Sequence, residues 1–288
     1  MNRSMNRACT EKAALNAPDL MRRCDGIDYY LMNPTGNITI LVVSPVPVPD
    51  QPAIADMLMK QEPACEQVGY ISTSDNSDIQ LRMAGGEFCG NATMSTAALC
   101  CYRSGLAAGH SVPVSVEASG CDAPVTVDIN RMEDAEGRTV FRGRVHMPGH
   151  RGISRHALTF MGRTYDLPVV DMGGIVHIVA TDPLPLSDEE MEEAIKKWCL
   201  DLGAEALGIM QATFGTGDSM SLRPLVYVPA AGTCYWESSC ASGTTATGLY
   251  LADQGFTVSG LHIREPGGTL TITARDGRIV LDGTVEIE

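Results

Sequence analysis

Residues 83–94 read MAGGEFCGNATM and residues 236–245 read WESSCASGTT. In each, a cysteine, Cys89 or Cys240, precedes small turn-forming residues and then a run with helical character, Asn91–Ser104 or Gly243–Asp253. Threonine recurs four and seven positions beyond both cysteines, as Thr93 and Thr96 and as Thr244 and Thr247, and the runs close at Gly105 and Gly255. Strand-like segments follow each: VPVSVEASG, PVTVDIN and GRVHMPG in the first half, SGLHIREPGG, TLTITARDG and LDGTVEI in the second. This self-similarity predicts a duplicated α+β unit, with halves at 25–150 and 151–288 and residues 1–24 as an N-terminal extension. If a pseudo-twofold relates the halves, Cys89 and Cys240 occupy equivalent places and face each other across a cleft.

Working outward, short β-branched runs bounded by Gly, Pro, Asn or Asp predict strands at Tyr29–Met32, Ile38–Val43, Val112–Val116, Val125–Ile129, Gly143–Met147, Leu167–Asp171, Ile175–Ala180, Leu225–Val228, Leu261–Ile263, Leu270–Thr273 and Ile279–Leu281. Two further helices are expected at Ala53–Met59 and Ser187–Cys199, the second opened by a Ser187/Glu190 capping box with its charges in solvent.

The chain has 288 residues, 44% hydrophobic and 19% charged, which suits about two globular domains and excludes a disordered protein. A net charge of −14 disfavours nucleic acid and anionic headgroups as partners. The longest apolar run, Ile38–Val43, is strand-sized, so no membrane partner is expected. The N-terminal stretch lacks the apolar core and cleavage site of a secretory signal, which places the chain in the cytoplasm. There, Cys9, Cys24, Cys65, Cys100, Cys101, Cys121, Cys199 and Cys234 read as packing residues. Cys89 and Cys240 read as chemistry.

The physical reason lies in the turns. The first N–H groups of a helix lack intrahelical partners, and the positive end of its dipole favours an anion. A cysteine there is expected to have a lowered pKa, and the N–H groups of both turns can grip one α-carboxylate. Two sulfurs on opposite faces of a carbon suit inversion: one thiolate removes the Cα proton and the other thiol returns one from the far side. The held carboxylate stabilises the planar intermediate as an oxyanion hole would. No metal, pyridoxal or nicotinamide cofactor is needed, and the chain has no Walker loop, no G-x-G-x-x-G after a strand and no H-E-x-x-H helix.

These turns, with GGIVH ending at His177, NPTGN ending at Asn37 and the terminal PGGTLTIT…LDG…EI, resemble the diaminopimelate epimerase fold superfamily of cofactor-independent amino-acid racemases and epimerases over residues 28–288. The resemblance implies two pseudo-symmetric domains, each a β-barrel-like sheet around a central helix, with the last strand crossing between them. It implies that Cys89 and Cys240 are the acid/base pair. Gly90, Asn91, Ala241 and Ser242 would supply backbone N–H groups, and Asn37, His177 and Glu237 would line the substrate. Departures bear on specificity. Ala241 stands where glycine is usual, Ile175 replaces the asparagine of a G-N-P-H motif, Ser238 replaces arginine, and Met83 stands near another lost asparagine. A site without these polar anchors disfavours diaminopimelate. The compact A-G-G-E-F-C-G-N form resembles the histidine-racemase branch, which implies L- and D-histidine as substrates. The alternatives are another amino-acid epimerase, an isomerase or dehydratase of the same superfamily, and a non-enzymatic amino-acid-binding module. A zinc site from Cys234, Cys240 and His177 is disfavoured by its spacing. The expected partner is a small amino acid; a homodimer is allowed but not required.

Overall fold

The computed structural model describes residues 20–132, 136–215 and 220–288. The described residues form two compact units, one within 1–146 together with 282–288 and one within 147–281. Most of the expected extension, residues 1–19, lies outside the described residues.

The first unit holds β1 (Arg22–Cys24), β2 (Ile27–Pro34), β3 (Thr39–Val42), β4 (Gln67–Ser72), β5 (Ile79–Met83), β6 (Ser111–Ala118), β7 (Val125–Arg131) and β8 (Thr139–His146), with helices α1 (Gln51–Gln61) and α2 (Gly90–Arg103). Antiparallel pairs β2–β3, β4–β5, β6–β7 and β7–β8 alternate with parallel pairs β3–β4 and β5–β6. Strand β17 (Arg278–Ile287) closes the ring, pairing with β8 and, through Val285–Ile287, with β2. The result is a closed eight-stranded barrel. Arg22–Cys24 pairs with β2, so regular structure starts ahead of residue 25.

Helix α2 fills this barrel, touching β2, β3 and β5 to β8. All of it from Gly90 to Tyr102 is buried; most of its residues are small or apolar, and some of its hydroxyls bond inside the helix while those of Ser95 and Thr96 find no partner among the described residues. Thr93 Oγ1, for example, donates to the Cys89 carbonyl at 2.7 Å. Gly143 on β8 lets the sheet approach: a Cβ there would lie 2.3 Å from Met94 Cγ.

The second unit contains β9 (Gly152–Phe160), β10 (Arg163–Asp171), β11 (Val176–Ala180), β12 (Leu207–Phe214), β13 (Met220–Val228), β14 (Thr233–Trp236), β15 (Val258–Glu265) and β16 (Gly268–Arg275). Pairs β9–β10, β10–β11, β12–β13, β13–β14 and β15–β16 are antiparallel; β11–β12 and β13–β15 are parallel. Helix α4 (Ala241–Asp253) packs on β10, β11, β12, β15 and β16 with its first nine residues buried. Thr245 and Thr247 each donate to the carbonyl four residues back, at 2.8 Å. Helix α3 (Asp188–Leu202) is amphipathic. Its capping box forms as expected, it stops at left-handed Gly203, and it buries Trp198 against Phe160 and Tyr165. Among the described residues, no helix is long and apolar enough to cross a membrane.

Candidate functional site

Cys89 and Cys240 are the N-caps of α2 and α4, with φ/ψ of −129°/112° and −132°/101°. Both backbones therefore enter their helix from the extended region usual for a cap. The expected helix starts, Asn91 and Gly243, move to Gly90 and Ala241, directly after each cysteine. Ala241 is helical rather than left-handed, so the absence of glycine there costs the turn nothing.

In the first unit, Cys89 Sγ accepts from the Ala92 N–H at 3.4 Å and donates to Gln67 Oε1 at 3.1 Å. Gln67 is held by its own amide nitrogen, which donates to Thr39 Oγ1 at 2.8 Å and, through a short hydrogen bond, to Asn37 Oδ1. Asn37 Nδ2 donates to Glu66 Oε2 at 2.5 Å. Asn37 is fully buried and reaches the thiol through Gln67, a residue that sequence reasoning missed. Gly90 and Asn91 lie buried in the first turn of α2. Two residues before the thiol, the Glu87 carboxyl is pushed upward by burial, and its Oε2 has no hydrogen-bond partner.

In the second unit, Cys240 is 5% exposed, and its sulfur lies 3.6 Å from Ser242 Oγ, which in turn lies 2.9 Å from His177 Nε2. His177, on β11, is fully buried, and burial pushes its pKa down to about 3, so the ring is neutral. Its Nδ1 has no partner and faces Gly208, where a Cβ would sit 2.3 Å away. We assign the ring proton to Nε2, where it has an acceptor in Ser242; the Ser242 hydroxyl hydrogen is then available to the Cys240 sulfur. Thus His177, Ser242 and Cys240 form one connected row. Ala241, also buried, follows Cys240 in the chain. Glu237 acts on this thiol through its charge.

The expected lowering of the thiol pKa is reversed at Cys240. Burial pushes it well up, and the charges of Glu237 and Glu265 add to the rise, outweighing Ser242 and the Gly243 N–H. Glu265, at the end of β15, was not singled out by the sequence. Its Oε2 accepts from the Cys240 N–H at 2.7 Å and its Oε1 accepts a short hydrogen bond from Thr244. Elsewhere, burial raises Cys65, Cys101 and Cys121 to about 12, in keeping with packing roles. Cys100, expected as a packing thiol, is instead disulfide-bonded, and Cys9 lies outside the described residues.

Solved structures share this fold. A probable proline racemase from Agrobacterium radiobacter K84, solved with bound carbonate, superposes with a TM-score of 0.61 at 14% identity, covering 91% of this chain and 90% of that one. A hydroxyproline epimerase from Agrobacterium vitis, solved with trans-4-hydroxy-L-proline, gives 0.58 at 11% identity, covering 93% and 89%. In sequence, the histidine racemase of Fusobacterium nucleatum is 31% identical over 271 residues, 92% of this chain and 96% of that protein. The histidine racemase of Staphylococcus aureus is 30% identical over 262 residues, 86% and 89%. This chain is therefore an isomerase of the amino-acid racemase and epimerase class. Residues 26–287 match the family model described as the histidine racemase CntK N-terminal domain. The chain belongs to the histidine racemase family.

Proposed function

We propose that this protein racemises histidine without a cofactor, with Cys89 and Cys240 as the two acid/base groups on opposite faces of the substrate Cα. One thiolate takes the α-proton and becomes a thiol. The electron pair left on Cα delocalises into the carboxylate, and the other thiol then delivers its proton to the opposite face and becomes a thiolate. The next turnover can run from the enzyme form so produced, in the reverse sense. The N–H groups of Gly90 and Asn91 and of Ala241 and Ser242 would hold the carboxylate and stabilise the charge it gains.

The observation that carries this reading is the pair of N-capping cysteines, each opening a buried helix from nearly the same backbone conformation. The relatives' activity supports histidine, and the replacement of polar anchors by Ile175, Ser238 and Met83 disfavours diaminopimelate. We read the two units as pseudo-symmetric halves of a diaminopimelate epimerase-like fold, with Asn37, His177 and Glu237 supporting the substrate and thiols. A cytoplasmic setting suits such thiol chemistry.

The test is incubation of L-histidine and a panel including diaminopimelate in deuterium oxide, scored by chiral chromatography and mass. Inversion with uptake of one deuterium at Cα is expected for histidine. Cys89→Ser and Cys240→Ser should each abolish it; full activity in either variant would remove the two-thiol mechanism. Dehydration products, or binding without exchange, would favour the alternative readings. Mild oxidation is expected to inactivate the enzyme reversibly with a Cys89–Cys240 cross-link, and cross-links only to other cysteines would count against the proposal.

A further inference from the structure

Glu265 is a buried carboxyl that the mechanism above does not use. It is 3% exposed, and no ion pair to it exists among the described residues. Its two oxygens meet the first turn of α4: one takes the backbone N–H of Cys240, the other the hydroxyl of Thr244. A carboxylate from β15 thus caps the same helix whose N-terminus carries the thiol, and it competes with that thiol for the positive end of the helix.

We propose that Glu265 is a positioning residue that keeps Cys240 in its thiol form in the resting enzyme, so that Cys240 waits there as a proton donor. This rests on the two-thiol reading. The charged and titratable groups that face Cys240 are Glu237 from the segment before α4, Glu265 from β15 and, through Ser242, the neutral His177 of β11. The two carboxylates oppose a negative sulfur. Burial pushes Glu265 up to about 8, still below the well-raised Cys240 thiol, so Glu265 carries its charge before Cys240 can lose its proton and opposes that loss. The two enantiomers of the substrate have equal free energy, so Glu265 cannot favour one product. It sets only which protonation form of the free enzyme waits for substrate.

The experiment is a titration without substrate. Thiolate ultraviolet absorbance is followed against pH for the parent protein and for Cys240→Ser, and their difference isolates Cys240. The same difference is taken between Glu265→Gln and Glu265→Gln/Cys240→Ser. Glutamine can accept the Cys240 N–H and donate to Thr244, so it removes charge while keeping both contacts. The Cys240 midpoint is expected to fall by about one pH unit or more. If the glutamine variant does not fold, Thr244→Val serves instead. It withdraws the donor that stabilises the charged carboxyl and is expected to lower the same midpoint by a smaller amount. An unmoved or raised midpoint in a folded variant would overturn the proposal. The two readings fail separately: an unmoved midpoint together with loss of racemisation in Cys240→Ser removes the role of Glu265 alone. Full racemisation in Cys240→Ser removes the two-thiol reading, and the donor role with it.

Discussion

Replacing Gly208 with alanine would place a methyl group 2.3 Å from Nδ1 and 2.8 Å from Cε1 of His177. Gly208 is in strand β12 with no left-handed backbone, so the effect is steric rather than conformational. The neighbour is a fully buried ring, which must retreat by roughly 1 Å to reach an ordinary contact. A displacement of that size is expected to disrupt the 2.9 Å contact between Nε2 and Ser242 Oγ. Overpacking a core costs about 1–3 kcal/mol, and a buried hydrogen bond left unmade costs about 1–3 kcal/mol more. A loss of about 2–6 kcal/mol is therefore expected in denaturant unfolding, together with slower racemisation because Ser242 is no longer oriented toward Cys240. The control is Gly208→Ala in a His177→Ala background, where the ring clash is gone and only the flexible end of Met210, 2.8 Å from the new methyl group, must shift, so most of the cost should vanish. A loss under about 1 kcal/mol in the parent background, or an equal loss in both, would refute the reasoning that the ring rests on this glycine.

Other outcomes concern stability and pH. Glu265 ionises near 4.5 when unfolded and near 8 when folded, so between those values the folded chain holds a proton that the unfolded chain has lost. Stability should fall as pH rises through that window, by at most roughly 1.4 kcal/mol per pH unit, and Glu265→Gln should flatten the slope in unfolding curves taken across it. His177 has the opposite sign: its pKa falls from 6.5 unfolded to about 3 folded, so its contribution is present above 6.5 and is lost as pH drops toward 3. Acid unfolding of His177→Gln should be less steep over that range. Gly143→Ala, whose methyl would sit 2.3 Å from Met94 Cγ, should destabilise the first unit by about 1–3 kcal/mol, and Gly143→Ala/Met94→Ala should recover much of it in thermal melts. Ser187→Ala should cost about 1 kcal/mol of stability with racemisation unchanged, because it removes only the capping box of α3.

Much of the architecture was legible because it is local. The helix that opens at Cys240, the capping box at Ser187 and strands such as Val125–Arg131 follow from spacing within a few residues. Strands Gln67–Ser72 and Leu207–Phe214 were missed. Each contains a glycine that reads as punctuation, yet Gly69 and Gly208 are glycine because neighbours press on them. A Cβ at Gly69 would come within 2.7 Å of Leu81 Cδ1. Missing the first strand also concealed Gln67, the partner of the Cys89 thiol. Glu265 was equally hidden: preceding Pro-Gly-Gly, it reads as a solvated turn charge.

The sequence by itself determined where the two thiols lie in the chain and that each opens a helix, because an N-cap is set by the residues on either side of it. It also favoured burial of these helices, since the hydroxyls of Thr93, Thr245 and Thr247 find acceptors one turn back in the same helix. Only tertiary structure decided what the sulfurs meet: Gln67 lies 22 residues from Cys89, Glu265 lies 25 residues from Cys240, and His177 lies 65 residues from Ser242. The charge state of a thiol depends on loss of water and on dipoles within a few ångströms, and those neighbours exist only after distant strands have paired.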